Sequence, residues 1–253
     1  MASKSSSPAD RARRLAAQEL QRLERAGVTH LPKHRAITPV KASGGGDSAT
    51  VPSPGTGAAV DRAAALAALA KKVAQCTLCA ELAKTRTQTV FGDGSPHARL
   101  VFMGEAPGAD EDQQGVPFVG AAGQLLNKII EACGLKRSEV YILNTLKCRP
   151  PGNRAPLPTE AANCRPFLDA QLAILRPEII CCLGAVAAQN LLATTETIGR
   201  LRGRIIQWQG TKVLCTYHPA YVLRNNSPNS PARRAVWDDM KLVMAQLGIE
   251  ING

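Results

Sequence analysis

Leu100-Val101-Phe102-Met103 runs straight into Gly104-Glu105-Ala106-Pro107-Gly108-Ala109-Asp110-Glu111-Asp112, and this junction decides the fold. Consecutive apolar residues without polar alternation read as a strand covered on both faces. Glycine, proline and a cluster of acids directly after them read as a loop leaving its carboxyl end. The apolar half recurs at 140–143, 179–183 and 212–216. Helical patterns separate these runs at 123–133, 160–175 and 185–192, with a first helix starting at Asp61 and a last at 233–247. Strands alternating with helices imply βαβ units. The expected fold is therefore α/β: a three-layer α/β/α sandwich around a central, mostly parallel four-stranded sheet. In such sheets ligands bind beyond the carboxyl ends of the strands. The second run ends in Asn144-Thr145 and the fourth in Tyr217-His218-Pro219, so three strands bring polar or glycine-rich segments to one edge.

The 253 residues carry 31 Lys and Arg against 20 Asp and Glu, a formal charge of +11. With 45% hydrophobic residues there is material for a real core, and wholesale disorder is excluded. A basic surface favours polyanions, nucleic acid first and an anionic membrane face second. No run approaches the roughly 18 apolar residues of a membrane span. The N-terminus shows no signal-peptide core, and Asp10, Glu19 and Glu24 argue against a transit peptide. The expectation is a soluble, cytoplasmic monomer, nucleoid-associated in a bacterium.

Two parts are expected. Residues 1–60 hold nine basic and four acidic side chains, a basic extension with one thin amphipathic helix at 11–25 and a Pro/Gly/Ser/Thr linker at 38–57. It reads either as a disordered tail without a task or as an arm that raises affinity for a polyanion. Residues 61–253 are expected to form one folded domain carrying the α/β pattern.

Eight cysteines require explanation, because cytosolic proteins hold few disulfides. Cys133, Cys181, Cys182 and Cys215 lie in or at the end of apolar patterns and read as core. Cys76 and Cys79 form a CxxC pair, and Cys148 and Cys164 bracket a proline-rich loop at 149–163. A structureless loop of that length is unusual unless its ends are tied. Four thiolates would tie them, through tetrahedral zinc or a four-iron cluster; spacing suits both. The plainer alternative is a redox CxxC with two incidental cysteines. Phe118 stands apart as well: one of four phenylalanines, set between glycines rather than in a core run, it can offer a face to a flat ligand.

Four strings complete the picture: GEAPGADEDQQGVPFVGAAGQLL at 104–126, NTLKCRPPGNRAPLP at 144–158, ANCRPFLDAQL at 162–172 and YHPAYVLR at 217–224. Together with the cysteine pattern they closely resemble the iron–sulfur uracil-DNA glycosylases, family four of that superfamily. The likeness runs from about Cys76 to the C-terminus and leaves out the first 60 residues. It implies hydrolysis of the N-glycosidic bond of uracil in DNA, in base-excision repair, after the base has left the stack. It further implies a [4Fe–4S] cluster on Cys76, Cys79, Cys148 and Cys164, with zinc as the alternative.

By the same resemblance Phe118 stacks on uracil, Asn144 reads its Watson–Crick edge, Glu111 closes the pocket against a thymine methyl, and His218 donates to uracil O2. Tyr221 and Arg224 address DNA phosphates, within a stretch at 197–237 that has seven Lys or Arg and no Asp or Glu. Better-known members of the superfamily place a water-orienting aspartate where this chain has Ala106, here counted among the substrate contacts. Glu105, Glu111 and Asn153 are the candidates to hold the water or steady the cationic sugar. The loop at 151–156 lacks the histidine by which a sister group bonds to the sugar, so no stable adduct is expected. The rival reading is a non-catalytic, zinc- or cluster-stabilised nucleic-acid-binding module. A nucleotide-phosphate enzyme is disfavoured, since the chain has no P-loop or dinucleotide fingerprint.

Overall fold

A computed structural model describes residues 61–225, 227 and 230–250. The basic extension, with its expected helix and linker, lies outside the described residues.

The described residues open with α1 (Arg62–Ala74), started by Asp61, whose carboxylate accepts from the N–H groups of Ala63 and Ala64. After the CxxC turn come α2 (Ala80–Thr85), β1 (Asp93–Gly94), β2 (Leu100–Gly104), α3 (Ala109–Gln114) and α4 (Ala121–Ala132). Then follow β3 (Tyr141–Asn144), α5 (Pro158–Leu175), β4 (Ile179–Leu183), α6 (Ala185–Leu192) and α7 (Ile198–Leu201). The chain ends with β5 (Ile205–Trp208), β6 (Thr211–Thr216), α8 (Pro219–Arg224) and α9 (Pro231–Leu247).

The sheet order is β1-β3-β2-β4-β6-β5. The four expected strands form its parallel centre, β3-β2-β4-β6. The expectation of four strands is corrected to six, because β1 and β5 add one antiparallel strand at each edge. β5 returns as β6 through a tight hairpin whose turn residues, Gln209 and Gly210, have φ of 47° and 81°, the left-handed pair such a turn requires. Alternate strand residues feed two cores. Phe102, Ile142, Cys181 and Leu214 meet Leu126 and Ile130 of α4 and Met240 of α9. Val101, Leu143, Cys182 and Cys215 meet Leu168 of α5 and Ala187 of α6. The four cysteines read as core are all buried.

The loop expected at 149–163 is shorter than its sequence implied. Pro151–Asn153 forms a 3₁₀ turn and α5 begins at Pro158, so Cys164 sits inside the helix and not at a loop's end. Pro158 occupies the first turn, where a missing N–H costs nothing, and Glu160 accepts from the Leu157 N–H at 2.8 Å. From β2 the sheet winds outward to β3 on one side and β4 on the other. That reversal is where α/β sheets open a crevice.

Candidate active site

At the crevice lies a cavity of about 540 Å³, a size typical of small-molecule sites. Its walls include Glu105, Ala106, Glu111, Phe118, Asn144 and His218. Asn153, Arg154 and Arg224 also line it. The three groups on which the sequence reading turns, an aromatic ring, a carboxamide and an imidazole, thus share one space despite their separation along the chain.

Phe118 is pinned from both sides. Its backbone takes φ 55°, and its carbonyl lies so close to α4 that a Cβ on Gly123 would come within 1.9 Å of it. Arg137 donates to the carbonyls of Pro117 and Phe118 at 2.6 and 3.2 Å. The ring is 6% exposed and lies 5.6 Å from the His218 ring at 31°. Glu111 organises the same loop: its carboxylate accepts from Gly108, Val119 and Gly120 N–H groups at 2.9–3.0 Å. Both of its oxygens are therefore committed to the backbone.

Asn144 ends β3 and is 2% exposed. Thr145 holds the neighbouring peptide through N–H and hydroxyl bonds to the Gly104 carbonyl, at 2.9 and 3.1 Å. Asn144 Oδ1 is a buried side-chain acceptor with no partner among the described residues. Such an orphan is costly in a folded core, and the residue that carries it lines the cavity.

His218 follows β6 and caps α8. Its Nδ1 accepts from the Ala220 N–H at 3.1 Å, which leaves the proton of the neutral ring on Nε2. Burial, with help from Arg224 and against the opposing pull of Glu111, pushes its pKa down to about 4. The ring is neutral at physiological pH. Gly184, at φ 93°, closes behind it; a Cβ there would stand 3.1 Å from that of His218.

Glu105 lines the cavity and burial raises its pKa; its carboxylate makes no hydrogen bond among the described residues. Asn153 also reaches the wall, with φ 56° and its Oδ1 accepting from Arg149 Nε at 2.7 Å. Tyr221 lies outside the cavity lining, 41% exposed and stacked on Tyr217 at 5.0 Å. Arg224 stands at the cavity wall.

The four candidate ligand cysteines lie beside the cavity. Cys148 and Cys164 form a third small core with Leu82 and Leu146, against which Cys79 and Ala106 pack. Three N–H donors address the sulfurs: Arg86 Nη1 to Cys148 at 3.0 Å, the Lys147 amide to Cys164 at 3.4 Å and Asn163 Nδ2 to Cys79 at 3.5 Å. Burial raises both the Cys148 and Cys164 thiols, the latter to about 11. Cys76 and Cys79 add to the rise at Cys148, and Cys148 and Cys79 to that at Cys164, so all four sulfurs belong to one electrostatic neighbourhood. No three His, Cys, Asp or Glu among the described residues are spaced to hold a single ion. A soft, all-sulfur donor set ringed by N–H groups suits an anionic thiolate centre.

Among the buried polar residues that the sequence did not single out are Lys147 and Asp239. Lys147 is 1% exposed; its Nζ donates to the Asn144 carbonyl at 2.9 Å and to Gln171 Oε1 at 2.6 Å. Burial pushes this amine down to about 7, with the Cys164 sulfur opposing. Asp239 is fully buried and accepts from Arg202 at 3.0 and 3.1 Å and from Thr216 Oγ1 at 2.6 Å. Asp239 carried a signal: it shares the apolar face of α9 with Val236, Met240 and Val243. Lys147 carried none beyond its place within a buried run.

Residues 91–241 match the family model described as the uracil DNA glycosylase superfamily. The chain belongs to that superfamily. Among its relatives, a type-4 uracil-DNA glycosylase of Thermotoga maritima is 44% identical over 175 residues, 68% of this chain and 90% of that protein. The type-4 uracil-DNA glycosylase of Archaeoglobus fulgidus is 45% identical over 163 residues, 61% and 81% of the two chains. That of Saccharolobus solfataricus is 41% identical over 188 residues, 71% and 85%. No helix among the described residues is long and apolar enough to cross a membrane.

Proposed function

We propose that this chain is a type-4 uracil-DNA glycosylase that hydrolyses the N-glycosidic bond of uracil in DNA during base-excision repair. The observation that carries the reading is the orphaned Asn144 Oδ1, buried in the cavity that Phe118 and His218 also line. A carboxamide fixed there offers an acceptor to uracil N3–H and a donor to O4. Cytosine presents the reverse pattern and would leave the amide opposed like to like. Sites built around such buried hydrogen bonds discriminate by several orders of magnitude. Phe118 supplies the stacking face for the extruded ring.

As the C1′–N1 bond breaks, the electron pair leaves with uracil and charge gathers on N1, O2 and O4. The neutral Nε2–H of His218 is aimed to donate to O2, a fixed dipole acting where solvent is excluded. A neutral donor serves better than a cation, since it keeps its proton while the base departs as an anion. Water then bonds to C1′, and the proton it loses passes to the departed uracil anion, leaving neutral uracil and an abasic sugar. Of the candidates to hold that water, Glu105 is the carboxylate without a committed partner; Glu111 is bound to the loop and Asn153 to Arg149. Tyr221, Arg224 and the positive stretch around them would meet the phosphates, and residues 1–60 add a basic arm to the catalytic domain.

Cys76, Cys79, Cys148 and Cys164 would hold the [4Fe–4S] cluster, which would tie the CxxC turn to β3 and α5. Visible absorbance with iron analysis separates the cluster from a single zinc: brown protein with four irons supports the cluster, and colourless protein with one zinc overturns it. The functional test is to incubate the protein with uracil-containing DNA and then alkali. Strand breaks at uracil and not at cytosine are expected; binding without breaks returns the chain to a non-catalytic module.

A further inference from the structure

Lys147 presents a problem that the uracil reading does not solve. A lysine amine removed from water is costly unless acceptors compensate, and no carboxylate bonds to this one among the described residues. Its two acceptors are neutral, the Asn144 carbonyl and Gln171 Oε1. Its backbone N–H points at Cys164 Sγ, and its own carbonyl accepts from the Val90 N–H at 2.8 Å. Gln171 is itself fully bound, donating to the Phe91 carbonyl and the Tyr141 hydroxyl at 3.1 Å each. Gln171 and Cys164 stand seven residues apart on α5, two turns along one face. The residue thus joins a helix that carries a cysteine ligand to the strand end that carries Asn144.

We propose that Lys147 is a positioning residue that couples the four-cysteine centre to the base-reading carboxamide, its Nζ tying the Asn144 main chain to Gln171 of α5 while its backbone N–H meets Cys164 on the same helix. This rests on the function proposed above and deepens it. Thr145 restrains the peptide after Asn144 from the β2 side; Lys147 restrains the Asn144 carbonyl from the α5 side. With both bonds in place the amide cannot rotate its Cα–Cβ axis away from an incoming base. Held groups of this kind lose function when their supports are removed, even with every contact residue intact.

The test compares wild type, Lys147→Met, Asn144→Ala and the double variant, each as metal-loaded full-length protein. Single-turnover release of uracil from a labelled oligonucleotide gives the rate. Binding to DNA bearing a tetrahydrofuran abasic analogue gives Kd, and metal loss to a chromogenic chelator reports on the cysteine centre. Lys147→Met should slow uracil release at least tenfold with Kd within twofold. In the Asn144→Ala background the same change should cost less than twofold, because the group it positions is gone. Metal loss should be at least threefold faster in Lys147→Met and unchanged in Asn144→Ala. A wild-type rate in Lys147→Met, independent multiplicative losses in the double variant, or unaltered metal release each overturns the coupling. If Lys147→Met does not fold cooperatively, Lys147→Gln, which keeps a donor on a shorter stem, takes its place under the same criteria. Wild-type protein that releases no uracil refutes the functional reading instead, and the chelator arm still decides the link to Cys164.

Discussion

Replacing Gly104 with alanine tests the shared cavity most directly. Gly104 ends β2 with no unusual backbone angle, so conformational strain is not at issue. A Cβ there would lie 2.4 Å from Asn144 Oδ1 and 2.6 and 2.7 Å from Phe118 Cζ and Cε2. Unstrained contact needs about 3.5 Å, so the carboxamide and ring must each yield by about 1 Å. The sheet cannot relieve the conflict, since Gly104 pairs with Asn144 across β2 and β3 and Thr145 is bonded to its carbonyl. A 1 Å misplacement of reacting partners costs about 10²-fold in rate, and overpacking a filled site costs about 1–3 kcal/mol of stability. Single-turnover excision from a single-stranded uracil oligonucleotide should therefore fall about 100-fold. Gly199→Ala is the control: it lies in α7 with nothing within 4 Å of a new Cβ, and its rate should match wild type. Excision by Gly104→Ala within threefold of wild type would show that the methyl group fits, and that Phe118 and Asn144 do not close on one base.

Further expectations follow from the same geometry. Asn144→Asp removes the donor to O4 and sets a carboxylate beside an anionic leaving group; uracil excision should fall at least about 10²-fold, and an unchanged uracil-to-cytosine ratio would remove Asn144 as the reader. The His218 imidazole has a native pKa of about 4 against 6.5 for the ordinary group. Its neutral form is the native one, so its contribution to stability is whole above 6.5 and is lost as pH falls through 4. The excision rate should show no inflection near 6.5, and a loss centred there in a pH–rate series would refute the buried neutral donor. Arg202→Met strips the buried Asp239 of its cation and leaves it the Thr216 hydroxyl and the Gly203 backbone, at a cost of about 3–5 kcal/mol. The melting temperature should drop by roughly 10 °C and largely recover in Arg202→Met/Asp239→Leu; a drop under 2 °C in the single variant would contradict it.

The parallel centre of the sheet was legible because both of its faces are covered, which leaves unbroken apolar runs at 100–103 and 179–183. The edge strands were not. Asp93–Gly94 is too short to show a pattern, and Ile205–Trp208, half exposed, blends into a basic stretch. Helix α3 also went unread, since Ala109–Gln114 has no apolar stripe. It is held by polar means: the Glu111 carboxylate caps it and Asp112 accepts from the Thr87 N–H at 3.0 and 3.1 Å. Phe118, Asn144 and His218 could be named because each sits next to a strand end or glycine loop. Lys147 could not, because a lysine's usual place is in water and only the packed α5 face reveals where this one goes.

The Glu111 carboxylate, gathering three backbone N–H groups from the loop, means that the front of the receptor is already cast before any guest arrives. A mould braced in this way need not be reshaped by its guest, so the ease of extrusion is set by the helix being repaired. Wobble-paired uracil opposite guanine, and uracil in unpaired tracts, give way most readily. They should be cleared ahead of uracil held opposite adenine.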